Sequence, residues 1–357
     1  MTFLVPVITT FIIALIITPI VKKIAIRIGA IDKPNERKVH KKLMPRMGGL
    51  AIYTSFLIGV ALFPPDMIDI WPIILGASLI IVMGIADDIV TLSAKVKFLG
   101  QIFAALIPVL AGIQIEYITI PNGEIIEFGY LAIPITLFWI VAITNAINLI
   151  DGLDGLAAGV SSIALISMST LALSLGNLEA TFIGILLIGS TLGFFIYNFY
   201  PAKIFMGDTG SLFLGYMISI TAILGFTKSA TILSLIIPII ILAIPIMDTT
   251  FAIIRRIVNE KPLTAPDKYH LHHCLIRLGF THRQSVVVIY LLSVLFSLAA
   301  IIFTRSTIWG SSVLIVVLLL LIELIVEVTG LISENYRPIL NLIDGKIQKN
   351  SSLRRKE

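Results

Sequence analysis

Residues 128–150 read FGYLAIPITLFWIVAITNAINLI, an uncharged run of 23 residues, and the chain turns polar directly afterwards in Asp151-Gly-Leu-Asp154-Gly155. A helix crosses a hydrocarbon core with about 20 mostly apolar residues. The run therefore predicts a transmembrane helix whose polar end meets one membrane face. Working outward, ten more runs of this kind occur: Phe3–Val21, Met47–Pro65, Ile70–Ala86, Phe98–Ile115, Gly155–Leu178, Ala180–Ala202, Thr209–Thr227, Ser229–Met247, Gln284–Thr304 and Ser306–Ile322. The composition agrees. Of 357 residues, 57% are hydrophobic and 13% charged, with mean hydropathy +1.03. A soluble domain carries about 45–50% apolar and about 25% charged residues. A soluble enzyme, a disordered chain and a disulfide scaffold are thereby excluded, and the single Cys274 can form no intrachain bridge.

The expected fold is an all-α polytopic membrane protein, a bundle of about eleven transmembrane helices. Residues 1–330 form one domain and 331–357 a basic tail. The first run lacks a basic leader and a small-residue cleavage site, so it reads as a retained helix. Residues 114–130, around Pro121-Asn122-Gly123, read as a small hairpin between spans. Orientation follows from Lys and Arg. With the amino terminus outside, the inner segments 22–46, 87–97, 198–207, 252–283 and the tail hold 24 of the 26 cations. Only Lys228 and Arg305 fall outside. The carboxyl terminus is then cytoplasmic.

The acids sort by side as well. Asp87-Asp88, Asp151, Asp154, Asp208, Asp248 and Asp267 all fall on the inner side, mostly at span ends, and the span middles are nearly free of acids. A secondary transporter places its polar groups near the midplane, often at broken helices. Polar chemistry gathered at one face suits an enzyme that joins a cytosolic substrate to a lipid headgroup. A purely structural subunit needs no such gathering.

Four segments stand out. Asp87-Asp88 end a span at a helix C-terminus, where the macrodipole disfavours negative charge, so a bound divalent cation or a cationic partner is expected there. Asn145, Asn148, Asp151 and Asp154 step by three, which lines one face if the segment is helical; N-capping of the next helix accounts for only one of them. Asp208, in Met206-Gly-Asp-Thr-Gly-Ser211, suits either a helix cap or a metal–phosphate site at a helix N-terminus. His270-Leu-His272-His273-Cys274 is the only histidine cluster. Its spacing is poor for one tetrahedral zinc, and with Lys268, Arg255 and Arg256 it reads as a phosphate-binding group. His40 and His282 read as surface residues. In the basic first loop, Pro45 and Gly48-Gly49 predict a shaped turn presenting Lys41 and Arg46.

In this order, from about Asp32 to Cys274, the motifs resemble the polyprenyl-phosphate N-acetylhexosamine-1-phosphate transferase family. The resemblance implies a cytoplasmic active site in a ten- or eleven-helix bundle in the bacterial cytoplasmic membrane. It implies magnesium, with manganese as the alternative, and transfer of a sugar-1-phosphate from a UDP-sugar to a polyprenyl phosphate with release of UMP. Met44-Pro-Arg-Met-Gly-Gly49 and the interrupted His270-Leu-His272-His273 resemble the branch using UDP-N-acetylglucosamine and undecaprenyl phosphate. The runner-up is the branch acting on a muramoyl-pentapeptide donor. By resemblance, Asp208 and Asp87 bind the metal, and Asp87, Asp88, Asp208 and His272 are catalytic. Lys41, Arg46, Lys97, Asn148, Asp151, Asp154, Asn198, His270 and His273 bind substrate, and Arg255 and Arg256 help select the sugar. The expected partners are the two substrates and the bilayer, with no nucleic acid; a homodimer is compatible with the sequence.

Overall fold

The computed structural model describes residues 3–32, 43–64, 69–119, 124–226, 232–262, 267, 269–333 and 336–342. Thirteen helices occur among them. The chain is an all-α polytopic membrane protein. Eight helices are long and apolar enough to cross a membrane: α1 (Leu4–Ile28), α3 (Trp71–Val90), α5 (Ala132–Ile150, extended by the preceding turn from Gly129), α6 (Leu156–Ser174), α7 (Leu178–Asn198), α8 (Gly207–Phe226), α12 (His282–Arg305) and α13 (Ile308–Thr329). Two expected spans are shorter helices, α2 (Gly48–Leu62) and α4 (Ala94–Leu110).

The ninth expected span, Ser229–Met247, is not one helix. The chain forms α9 (Ile232–Ile241), breaks at Leu242 and continues as α10 (Ala243–Val258). Pro238 and Pro245 flank the break. Proline donates no amide and crowds the carbonyl four residues back, so the helical ladder fails between them. As a result α10 packs against α5 and α12 and brings Asp248 and Arg255 into the protein interior. A short helix, α11 (Leu271–Arg277), carries two of the clustered histidines.

The bundle is built around α8, which is buried over its whole length and packs on α2, α3, α5, α6 and α7. Peripheral helices turn their apolar side chains outward. On α1, Ile8, Ile12, Ile16 and Ile20 are exposed at a spacing of four, while Thr10, Ala14 and Thr18 are buried on the other side. That stripe is a lipid-facing surface, since exposed apolar area on this scale is untenable in water. Many buried hydroxyls in the spans turn back onto their own helix, as Thr18 does to the Ala14 carbonyl at 2.6 Å and Ser162 to Ala158 at 2.8 Å. Lipid offers no alternative partner for them.

Sheet is confined to two small ribbons. β1 (Ile31–Asp32) pairs with β2 (Met44–Pro45), and β3 (Tyr117–Thr119) with β4 (Ile125–Glu127), both antiparallel. The second is the expected hairpin; its tip lies outside the described residues. So does the basic tail beyond residue 342.

Candidate active site

A cavity of about 700 Å³ opens between the ends of α5 and α7, the starts of α8 and α12, the helix α11 and the 44–46 turn; the end of α3 and the start of α4 join the start of α8 through Asp88, Asp87 and Lys97. The cavity wall includes Asp32, Arg46, Asn148, Asp151, Asp154, Asn198, Asp208, His272, His273 and His282.

Asp87 and Asp88 sit at a helix C-terminus, and the neighbouring helix start resolves the electrostatic conflict. The Asp88 carboxylate receives the amides of Asp208 (3.0 Å) and Thr209 (3.2 Å) and the Thr209 hydroxyl (2.7 Å). It therefore caps α8 from another helix, meeting the positive end of that helix's dipole. Gly207 makes room: it has φ +70, and a Cβ there would lie 2.3 Å from Asp88 Oδ2. Asp87 accepts the Leu92 amide at 2.7 Å and the Lys97 ammonium at 3.3 Å. Lys97 also donates to Asp208 at 2.7 Å, so one cation joins the two carboxylates. Arg46 approaches Asp32 (3.8 Å) and Asp88 (3.9 Å), and its buried Nε has no hydrogen-bond partner.

Arg46 is presented by a turn of tightly fixed backbone. Phe205 donates its amide to the Pro45 carbonyl (2.8 Å), Gly48 to Phe205 (3.0 Å) and Gly49 to Met206 (3.0 Å). The turn lies so close to α8 that a Cβ on Gly49 would fall 2.0 Å from the Gly210 Cα. The shaped turn expected from Pro45 and Gly48-Gly49 is present. Lys41 lies outside the described residues.

The polar stripe does not line one helical face. Helix α5 ends at Ile150, and residues 151–155 form a turn closed by Gly155 at φ +76. Asn145 pairs with Gln101 of α4 (2.6 Å), Asn148 donates to Ser211 of α8 (2.8 Å), and Asp154 accepts the Ala202 amide (2.9 Å). Only Asp151 is left with its carboxylate free of hydrogen bonds from described residues. Burial, then the charge of Asp208, pushes it up to about 7. A carboxyl raised in the folded state is easier to ionise once unfolded. Its presence therefore costs stability as pH rises from about 4 through about 7. Asp151→Asn should melt above wild type at pH 8 and level with it at pH 4, measured in detergent with EDTA. Equal melting temperatures at both pH values would refute the assignment.

The histidines divide. His270 Nδ1 lies 2.9 Å from Asp248 Oδ2, and Asp248 also takes the Leu271 amide at 2.7 Å. His272 lines the cavity beside Gly152, its buried Nδ1 without a partner. Burial, then the neighbouring His273 and His270, holds it well below the usual histidine range, so it is neutral at pH 7. Its ring centre is 4.2 Å from that of His273. Asn198 donates to the Ile204 carbonyl (3.1 Å), leaving a buried Oδ1 unpartnered.

Arg255 and Arg256 are not among the cavity-lining residues. Arg255 grips Asp267 through Nε (3.1 Å) and Nη2 (2.6 Å) and reaches the Leu331 carbonyl. It braces the histidine loop against the end of α13. His282, which read as surface, lines the cavity; Asp248, an acid beside an apolar run, is buried behind the histidine cluster, where it holds His270.

Among the described residues, no group of three or more His, Cys, Asp or Glu side chains is arranged to hold a metal alone. The family model for glycosyl transferase family 4 matches residues 70–226. A Bacillus subtilis (strain 168) protein named "Probable undecaprenyl-phosphate N-acetylglucosaminyl 1-phosphate transferase" is 52% identical over 340 residues, covering 94% of each chain. A decaprenyl-phosphate N-acetylglucosaminephosphotransferase of Mycolicibacterium smegmatis is 36% identical over 79% of this chain and 77% of its own. An undecaprenyl-phosphate alpha-N-acetylglucosaminyl 1-phosphate transferase of Yersinia pestis is 30% identical over 81% and 80% respectively.

Proposed function

The chain belongs to glycosyl transferase family 4, and on that premise we propose that it transfers N-acetylglucosamine-1-phosphate from UDP-N-acetylglucosamine to undecaprenyl phosphate, releasing UMP. The observation that carries the reading is the convergence of Arg46, Asp151, Asp208 and His272 on one cavity, with the Lys97 ammonium joined to Asp208. Phosphoryl transfer leaves a protein mainly positioning and charge neutralisation. Both substrates are anionic, and Arg46 and Lys97 supply fixed positive charge where they must meet.

A lipid-phosphate oxygen attacks the sugar-linked phosphorus, the new P–O bond forms, and the bond to UMP breaks. A phosphate monoester has its second pKa at about 6, so the acceptor is largely dianionic at neutral pH and needs no general base. Asp87, engaged by the Leu92 amide and Lys97, orients that lysine. Neutral His272 has an unpartnered Nδ1 to offer the donor.

Magnesium suits this donor set. It binds through one or two carboxylates, substrate phosphates and water rather than in an all-protein cage. Asp208 would hold it, with the orphaned Asn198 Oδ1 as a second hard oxygen; Asp87 has both oxygens engaged already. When bound, the ion neutralises diphosphate charge.

The site faces the cytoplasm. The support is the cation asymmetry of the sequence: the connecting segments assigned to the same side as Asp87, Asp151 and Asp208 carry 24 of the 26 Lys and Arg. The product begins a cell-envelope glycopolymer.

The test offers purified protein two donors, UDP-N-acetylglucosamine and UDP-N-acetylmuramoyl-pentapeptide, with undecaprenyl phosphate. UMP release from the first, dependent on lipid and magnesium, is expected. Turnover of only the second would overturn the donor assignment.

A further inference from the structure

His282 and Tyr200 stand in the cavity wall and have no part in the chemistry above. His282 is the first residue of α12, held there by the Thr281–Gln284 capping box. Its Nε2 accepts the Asp154 amide at 3.0 Å. A neutral imidazole that accepts at one nitrogen carries its proton on the other. The proton is therefore on Nδ1, which has no partner among the described residues. Tyr200, 46% exposed, packs its ring 4.8 Å from the imidazole at 36°. Asp154 in turn accepts the Ala202 amide, tying the 151–155 turn, the 199–206 loop and the start of α12 together. The ring is thus clamped from two sides, with a donor left over in a substrate-sized space.

We propose that His282 is a substrate-binding residue whose Nδ1–H donates to an uncharged oxygen, a carbonyl or hydroxyl, of the bound nucleotide sugar, with Tyr200 as an aromatic wall beside it. The inference rests on the transfer reaction proposed above. The neutral ring is matched to an uncharged acceptor, because the diphosphate already has Arg46 and Lys97.

Two substitutions separate ligand binding from bracing. His282→Gln places an acceptor near the Nε2 position and keeps the Asp154 bond, but removes the donor. His282→Asn keeps a donor near the Nδ1 position and loses the brace. For UDP-N-acetylglucosamine, His282→Gln is expected to raise KM about tenfold with kcat within about twofold, the effect of one hydrogen bond. His282→Asn should keep KM within about threefold. The opposite ranking, equal losses in both, or two wild-type-like variants would each overturn the proposal. Competitive inhibition by UMP locates the acceptor: weakened with the Gln variant, it lies on the nucleotide; unchanged, on the sugar. Wild-type turnover tests the transfer reaction itself, and the ratio of the two variants tests His282.

Discussion

Asp208→Asn is expected to lower transfer from UDP-N-acetylglucosamine by about 10²–10³-fold, the scale on which removing one transition-state charge partner acts. The protein should still insert, purify and melt as wild type does. The two halves of that expectation come from different residues. The amides at the start of α8 are held by Asp88, not by Asp208, so the helix keeps its cap when Asp208 loses its charge. What goes is the carboxylate that pairs with Lys97 at 2.7 Å and stands at the cavity wall. The amide is nearly isosteric but cannot neutralise a cation. Asp88→Asn should behave differently, with melting temperature and turnover falling together, because its amide nitrogen would face either the Asp208 amide or the Thr209 amide and hydroxyl, which donate to different oxygens of the carboxylate. Magnesium titration of turnover is the check. An Asp208→Asn enzyme with wild-type rate and wild-type magnesium dependence would show that the metal is held elsewhere.

Much of this arrangement was legible in the sequence, for identifiable reasons. The spans announce themselves because lipid forbids charges and demands helices. The exception is instructive: Ser229–Met247 has span-like hydropathy, yet hydropathy is blind to Pro238 and Pro245 acting in concert. The polar stripe was legible as residues but not as geometry. Periodicity of three presumes a helix, and α5 ends at Ile150, so Asn145 and Asn148 stay on it while Asp151 and Asp154 fall in the turn closed by Gly155 at φ +76; the partners of Asn145, Asn148 and Asp154 lie on three different elements. Asp88 looked like half of a catalytic pair, and its use as a cap for α8 depends on a contact 120 residues away that no local pattern encodes. Arg255 looked like a substrate cation for the same reason: charge is visible in sequence, but its Asp267 and Leu331 partners are set by the broken helix. His282 was overlooked because an isolated histidine in a loop carries no pattern.

The second large effect is expected at a residue with no chemistry at all. Gly49→Ala should cost turnover at least about a hundredfold and lower the melting temperature. Its Cβ would lie 2.0 Å from the Gly210 Cα and 2.1 Å from the Gly210 amide nitrogen, both main-chain atoms that cannot rotate aside. Relief requires α2 and α8 to part. Overpacking of this kind costs about 1–3 kcal/mol even where side chains can yield. Parting the helices also strains the Gly48–Phe205, Gly49–Met206 and Pro45–Phe205 hydrogen bonds. Those bonds set the distance between Arg46 in the turn and Asp208 at the tip of α8. A small misplacement of positioned charges suffices for a hundredfold loss. Gly225→Ala, further along α8, is the matched control. Its new methyl would meet only the Ala180 and Ala172 methyl carbons, at 3.3 and 3.6 Å, so it should stay close to wild type in both measurements. If Gly49→Ala matched that control, the backbone contact between the turn and α8 would not be what holds the two charges in register.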